Sequence, residues 1–355
     1  MRKTIGRIIA AVAVFVLVFF ALQRLLVPTF AQPGQLEGGM IREYYRSNFD
    51  HDIIFIGDCE VYANFSPITL WEEFGFTSHM RGSPQQLVWQ SYYLLQDTLR
   101  FETPGVVVFN VLSMQYNEPQ SRYYNRLTLD GMRWGMPKIR AIRASRTEDE
   151  GWLSYLFPFF RYKDRWREIA REDFQYFFRD PQVSINGFML RADTVPADWF
   201  PEMPPLGNYA FGDKTWEYLN RIVALTAAHD IELILVKSPA QHPPWRPLWN
   251  QQIVDFAAEN NLRFINFLDY VDEIGLDFQY HTFNAGVHLN VFGAEKLARF
   301  FGQILQDEFH LDNQRRMSPQ TVLHWEMLSI IYHRNIARQL AEIERYGAVQ
   351  CFLIR

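Results

Sequence analysis

From Ile8 to Leu22 the chain carries no polar side chain. The run follows Met1-Arg2-Lys3 and Arg7, and resumes after Gln23-Arg24 as Leu25-Leu26-Val27. A helix that is apolar on all sides has no face to give to water, which rules out an amphipathic surface helix and predicts an export element. Two outcomes stay open. The run is an uncleaved anchor with its basic end inside and the folded part of the chain extracytoplasmic, or a signal removed after Ala31 with Thr29 at the small-residue position, giving a secreted protein.

Beyond the Pro/Gly-rich stretch Pro33 to Gly39 the pattern changes to short apolar runs alternating with segments of helical period. The runs Ile53–Ile56, Thr77–Met80, Val106–Phe109, Ile231–Val236 and Arg263–Phe267 predict buried parallel strands. Helices are expected over Ile68–Phe74, Gln85–Leu99, Thr215–His229, Trp249–Asn260 and Ala294–Phe309, with Ser66-Pro67 and Ser83-Pro84 as starts. This alternation predicts a three-layer, doubly wound α/β domain with a parallel sheet. Near the end, Val322, Trp325, Leu328, Ile331, Ile336, Leu340 and Ile343 keep three- and four-residue spacing and predict a packing helix. The expected organisation is an anchor or signal at 1–31, a lead-in at 32–50, the α/β domain at 51–312 and a helical extension at 313–355.

The rhythm breaks between about 115 and 212, where aromatics, prolines and the acidic run Glu148-Asp149-Glu150 read as a large insertion over the carboxyl edge of the sheet. Within it, Phe157-Pro-Phe-Phe-Arg-Tyr-Lys-Asp-Arg-Trp166 has two readings, the insertion's own core or a carbohydrate-binding surface.

Composition narrows the function. With 355 residues and 48% hydrophobic content the chain can bury a large core, and a net charge of −5 without a basic cluster past the N-terminus argues against nucleic-acid binding. Only Cys59 and Cys351 are present, so neither a zinc pattern nor a disulfide framework is expected, and both thiols should be free.

The candidate chemistry stands at the predicted strand ends. Cys59 follows the first strand in Gly57-Asp58-Cys59-Glu60, Gly82 follows the second, Asn110 ends the third, and His288 lies in Asn284-Ala-Gly-Val-His-Leu-Asn-Val-Phe-Gly293. Residues remote in sequence meet where parallel strands end, and acyl transfer needs a nucleophile, a base, an orienter and oxyanion donors there. Each residue alone has a plainer use: a buried thiol, a tight turn, a cap, a solvated loop histidine.

The order of these four blocks resembles that of the SGNH, or GDSL-type, hydrolase family. Gly57-Asp58-Cys59 is similar to the Gly-Asp-Ser block with Cys for Ser, Gly82 to the second block, Asn110 to the third, and His288-Leu289-Asn290 with Gly293-Ala294 to the fourth. The resemblance covers about Asp52 to Gly302 outside the insertion. Together with the N-terminal anchor, it extends to the layout of membrane-anchored envelope acyltransferases. It implies a flavodoxin-like fold with Cys59 as nucleophile and His288 as base. Cys59 N–H, Gly82 N–H and the Asn110 side chain would form the oxyanion hole, with Asp58 supporting the turn, and no metal or cofactor would be required.

Two positions depart from the family. Cysteine replaces serine, and the aspartate expected three residues before the histidine is Ala285, leaving Asn284, four residues before, as orienter. Cys-His-Asn is a workable set, because a thiol needs less carboxylate support than a hydroxyl. Three functions therefore stay open: an esterase or O-acyltransferase on acylated envelope saccharides, a noncatalytic envelope-polymer-binding or assembly protein, and a lipid esterase. Lys237-Ser238-Pro239, His242, His281, Trp245 and Trp249 are expected near the cleft, the tryptophans as packing.

Overall fold

A computed structural model describes residues 2–29, 35–48, 50–197, 204–309 and 317–354. The Ala31 cleavage point lies outside these residues. In chain order, α1 (Arg2–Leu26) and α2 (Leu36–Glu43) lead to β1 (Ile53–Gly57), α3 (Cys59–Asn64), α4 (Pro67–Phe74), β2 (Ser78–Gly82), α5 (Val88–Thr98) and β3 (Val106–Asn110). Next come α6 (Arg122–Gly131), α7 (Met136–Ser145), α8 (Leu153–Leu156), α9 (Phe159–Tyr162) and α10 (Arg171–Gln175). The chain then forms α11 (Asp213–Ala227), β4 (Glu232–Lys237), α12 (Pro247–Glu259), β5 (Arg263–Asn266), α13 (Val271–Ile274), α14 (Val291–Phe309) and α15 (Pro319–Tyr346).

The five strands form one sheet in the order β2-β1-β3-β4-β5, every pair parallel, which is the flavodoxin-like order. Ile53 stands opposite both Ser78 and Val106, so the carboxyl ends of β2, β1 and β3 finish side by side. Parallel strands covered on both faces are expected to be apolar, as β1 is throughout and β3 is from Val106 to Phe109. The reversal at β1 sends the first two crossovers to opposite faces. Accordingly α5 packs with α11, while α14 packs with α3 and α4. On the α14 side Phe55, Phe65, Phe267 and Phe301 form a fully buried cluster with neighbouring ring centroids 4.9 to 6.1 Å apart. Burial of each such side chain contributes about 1.5–3 kcal/mol.

The Ser66-Pro67 start forms as expected, with the Ser66 hydroxyl accepting from Thr69 N at 3.2 Å. The Ser83-Pro84 start does not. Gln85 adopts φ 52°, which breaks helical continuity, and the Ser83 hydroxyl is spent on Gln86 and Thr128, so α5 begins only at Val88. Along α15 the buried face is Trp325, Leu328, Tyr332, Asn335 and Gln339, while Val322 and Leu340 are exposed. Polar groups displace the expected aliphatic ones because their bonds are met: Gln339 accepts from Ala192 N and donates to Leu190 O, and Tyr332 donates to Glu295.

The stretch expected as an insertion at 115–212 is shared between two compact units. Residues 37–145 and 182–355 form the sheet-bearing unit, and residues 1–36 with 146–181 form a second compact unit. In the first, α7 packs on α5 and Trp89 Nε1 donates to Ser145 Oγ at 3.1 Å. In the second, the end of α1 is held by the segment 157–180. Arg24 bonds Asp180, Tyr176 O and Phe177 O, Arg165 donates to Leu25 O and Leu26 O, and Phe19 packs on Phe157 and Phe159. Arg165 is itself paired bidentately with Asp173 at 2.7 Å.

Candidate active site

At Gly57 the chain leaves β1 with φ 153°, a conformation that side-chain-bearing residues rarely adopt. A Cβ there would lie 2.9 Å from that of Asn110. Asp58 then caps α3 by accepting from Glu60 N at 3.2 Å, and Cys59 opens the helix, half-buried. Gly82, opposite Gly57 in register, abuts this turn. A Cβ at Gly82 would sit 2.6 Å from Asp58 O and 3.1 Å from Val61 Cβ, so the glycine is needed for strand and turn to approach. Gly82→Ala is therefore expected to force the turn outward and cost about 1–3 kcal/mol by overpacking. Chemical unfolding of the full chain measures this, and a cost below about 0.5 kcal/mol would show that the turn yields freely.

His288 reaches the same edge from the loop before α14. Leu289 N donates to Asn64 Oδ1 at 2.8 Å, tying that loop to the far end of the helix that Cys59 opens. Its imidazole stacks on Phe283 at 5.5 Å and lies 6.2 Å from the Tyr62 ring, one turn after Cys59. Among the described residues, buried His288 Nε2 has no hydrogen-bond partner, Cys59 Sγ included.

Asn284 contacts His288 twice, and the pattern fixes the tautomer. Its Oδ1 accepts from His288 N at 2.7 Å, which leaves Nδ2 facing His288 Nδ1, also at 2.7 Å. An amide nitrogen only donates, so Nδ1 accepts and the neutral ring carries its proton on Nε2. Burial, with Arg191 and Lys237 adding, lowers the His288 pKa to about 4. Burial, reinforced by Asp58 and Glu60, pushes the Cys59 thiol well above its usual range. The resting pair is thus a neutral thiol and a neutral imidazole. Asp58 Oδ2 is buried without a partner, and burial followed by Glu60 raises its pKa, favouring the uncharged acid.

Asn110 ends β3 beside Gly57, but both its polar atoms are engaged. Nδ2 donates to Glu60 Oε2 at 3.0 Å, and Oδ1 accepts from Leu112 N at 2.9 Å. Beneath the cysteine turn, Glu60 Oε1 meets Lys237 Nζ at 2.7 Å with side chains 1% and 0% exposed. Lys237 also donates to Ser238 O, and Ser238 Oγ accepts from Asn64. The sequence sets Glu60 directly after Cys59 and Lys237 at the end of the fourth strand, without pairing them. The signal for their pairing was a lysine closing an apolar strand and a glutamate inside a buried turn, two charges that tolerate burial only together.

His281 and Trp245 are engaged within their own surroundings. His281 Nδ1 accepts from Asp277 N at 2.8 Å, and Trp245 donates to Asn250 and stacks on Phe211. Among the described residues no group of three His, Cys, Asp or Glu could hold a metal. Two surface clefts of about 400 and 530 Å³ lie elsewhere, one beside Arg100 and His229, the other beside Trp216 and Asn260.

No family model and no curated protein matches the chain. Solved structures give matches at low identity. A GDSL-like lipase from Bacteroides thetaiotaomicron is 13% identical, with 77% of this chain and 98% of that one covered and a TM-score of 0.37. A protein of the G-D-S-L lipolytic family from Desulfitobacterium hafniense is 12% identical, with 72% and 100% covered and a TM-score of 0.37. A protein assigned as an acylhydrolase from Bacteroides fragilis is 14% identical, with 72% and 86% covered and a TM-score of 0.34.

Proposed function

We propose that the chain is an extracytoplasmic acyl esterase or O-acyltransferase of the SGNH type, held at the membrane by α1. Its substrates would be small acyl groups ester-linked to envelope saccharides. The observation that carries the reading is the buried, unpartnered His288 Nε2, on a loop bonded to the helix that begins with Cys59. In the reaction Cys59 Sγ attacks the ester carbonyl carbon and gives its proton to His288 Nε2. Collapse of the tetrahedral intermediate expels the alkoxide, which takes the proton from Nε2 and leaves a Cys59 thioester. Water or a sugar hydroxyl then attacks the thioester, releasing the acid or a new ester and restoring the thiol. For Nε2 to accept the first proton, the ring must carry its own on Nδ1. The Asn284 amide then has to turn Oδ1 toward the ring and give up its bond to His288 N. Asn110 Nδ2 carries two N–H groups, so the one that Glu60 does not hold is available to an oxyanion.

The Asn284 arrangement favours a second reading, a noncatalytic polymer-binding protein in which Nε2–H donates to a ligand oxygen. Incubation of the full chain with p-nitrophenyl acetate, followed by peptide mass analysis, separates the two. The enzymatic reading expects an acetyl adduct on Cys59 that His288→Ala removes while any labelling of Cys351 is unchanged. Labelling of Cys59 that is absent, or indifferent to His288, favours the binding protein.

A further inference from the structure

The segment that grips the end of α1 also displays a set of large apolar side chains to solvent. Leu153, Leu156, Phe160, Trp166, Phe174 and Phe178 are all exposed, Phe178 at 95%. A cluster of this kind on a soluble surface ordinarily marks an interaction site.

Its position along α1 says what covers it. Residues Lys3–Leu26 form a helix whose most apolar 18-residue window has a mean hydropathy of 2.7, about 36 Å long at 1.5 Å per residue, enough to cross a hydrocarbon core of about 30 Å. If it crosses, Arg24 marks the level of the headgroups, where Asp180 pairs with it. Phe157 and Phe159 do not stop at that level. They pack on Phe19, five residues and so about 7 Å deeper along the axis. A segment fixed to the helix at that depth has its tip inside the boundary between headgroups and acyl chains. Cations lie over exposed or half-buried rings of the segment, Arg167 4.8 Å from the Trp166 centroid and Arg161 4.4 Å from that of Tyr162. Aromatic rings with adjacent snorkelling cations suit that boundary.

We propose that residues 153–178 form an interfacial collar around the outer end of α1, with Leu153, Leu156, Phe160, Trp166, Phe174 and Phe178 inserted among lipid headgroups and upper acyl chains. The collar continues the apolar surface of α1 and fixes the anchor's depth through Arg24. It rests on the reading of α1 as an anchor.

The test uses the full chain in phosphatidylcholine/phosphatidylglycerol vesicles containing a phosphatidylcholine with a photoreactive acyl chain, with labelled peptides mapped after irradiation. Label is expected on residues 5–22 and on 153–178. Phe174→Asp with Phe178→Asp should lose label from 153–178 and keep it on 5–22. Label confined to 5–22 in the native chain, as when a second copy covers the patch, overturns the collar while the anchor stands. Absence of label from 5–22 overturns the anchor and the collar with it.

Discussion

Lys237→Met is expected to lower the unfolding free energy of the full chain by about 3–5 kcal/mol, the cost of leaving one member of a buried ion pair without its partner. Lys237 Nζ and Glu60 Oε1 are 2.7 Å apart, and the two side chains are 0% and 1% exposed. Water therefore cannot replace the missing ammonium. Burial already raises the Glu60 pKa, with the contacts of Lys237 and Asn110 opposing it, so removing the ammonium should drive Glu60 to take up a proton. The double variant Lys237→Met with Glu60→Gln should recover much of the loss, because no charge is then stranded. Urea unfolding of both variants in detergent, read as a double-mutant cycle, measures the coupling. A loss below about 1 kcal/mol for the single variant would mean that the pair is hydrated, like a surface salt bridge.

Asn284→Asp should raise the rate of Cys59 alkylation by iodoacetamide at neutral pH about tenfold or more. Asparagine gives His288 N an acceptor but points a donor at Nδ1. Aspartate keeps the first contact and turns the second into an acceptor, which favours the imidazolium and, through it, the Cys59 thiolate. An opposite charge at this range shifts a pKa by about 1–3 pH units, each unit a factor of ten in the charged fraction. The native His288, lowered from 6.5 to about 4, also dictates a pH dependence. The unfolded chain binds the extra proton between those values, so stability is fully present above about 6.5 and is lost as pH falls toward 4. Asn284→Asp should narrow that window from below. Its check is the His288 titration followed by nuclear magnetic resonance, with Cys351 as the internal reference for alkylation. An unchanged midpoint and an unchanged Cys59-to-Cys351 rate ratio would show that Asn284 does not govern the ring's charge.

Much of the sheet was legible because buried parallel strands leave continuous apolar runs; β1 and β3 differ from expectation by one residue at the carboxyl end. The start of α5 was not, since Ser83-Pro84 carries a helix-start signature while the Gln85 backbone turns away from helix. On α15 the expected Trp325 and Leu328 are buried, but the polar part of the face escaped because apolarity was used as the measure of burial, and Gln339 is buried through its bonds to Ala192 and Leu190. At the site, order along the chain named residues that gather at one edge, but it carries no information on which atom of an amide faces which partner. That is why Asn110 on Glu60 and Asn284 on His288 Nδ1 emerge only with coordinates. The union of 146–181 with α1 was hidden by distance in sequence, although Arg24, interrupting an apolar run, already needed an acid such as Asp180.

That union also sets a timetable. Arg24 and Asp180 are separated by 156 positions, so at a synthesis rate of about 5–20 residues per second the helix end waits roughly 8 to 30 s for the carboxylate and the carbonyls of Tyr176 and Phe177. Over that interval β1, β2 and β3 have all been made, while α1 has none of its own unit to close on. The helix α1 is made before all three of these strands, yet its end can be fastened to Asp180 only after they are complete.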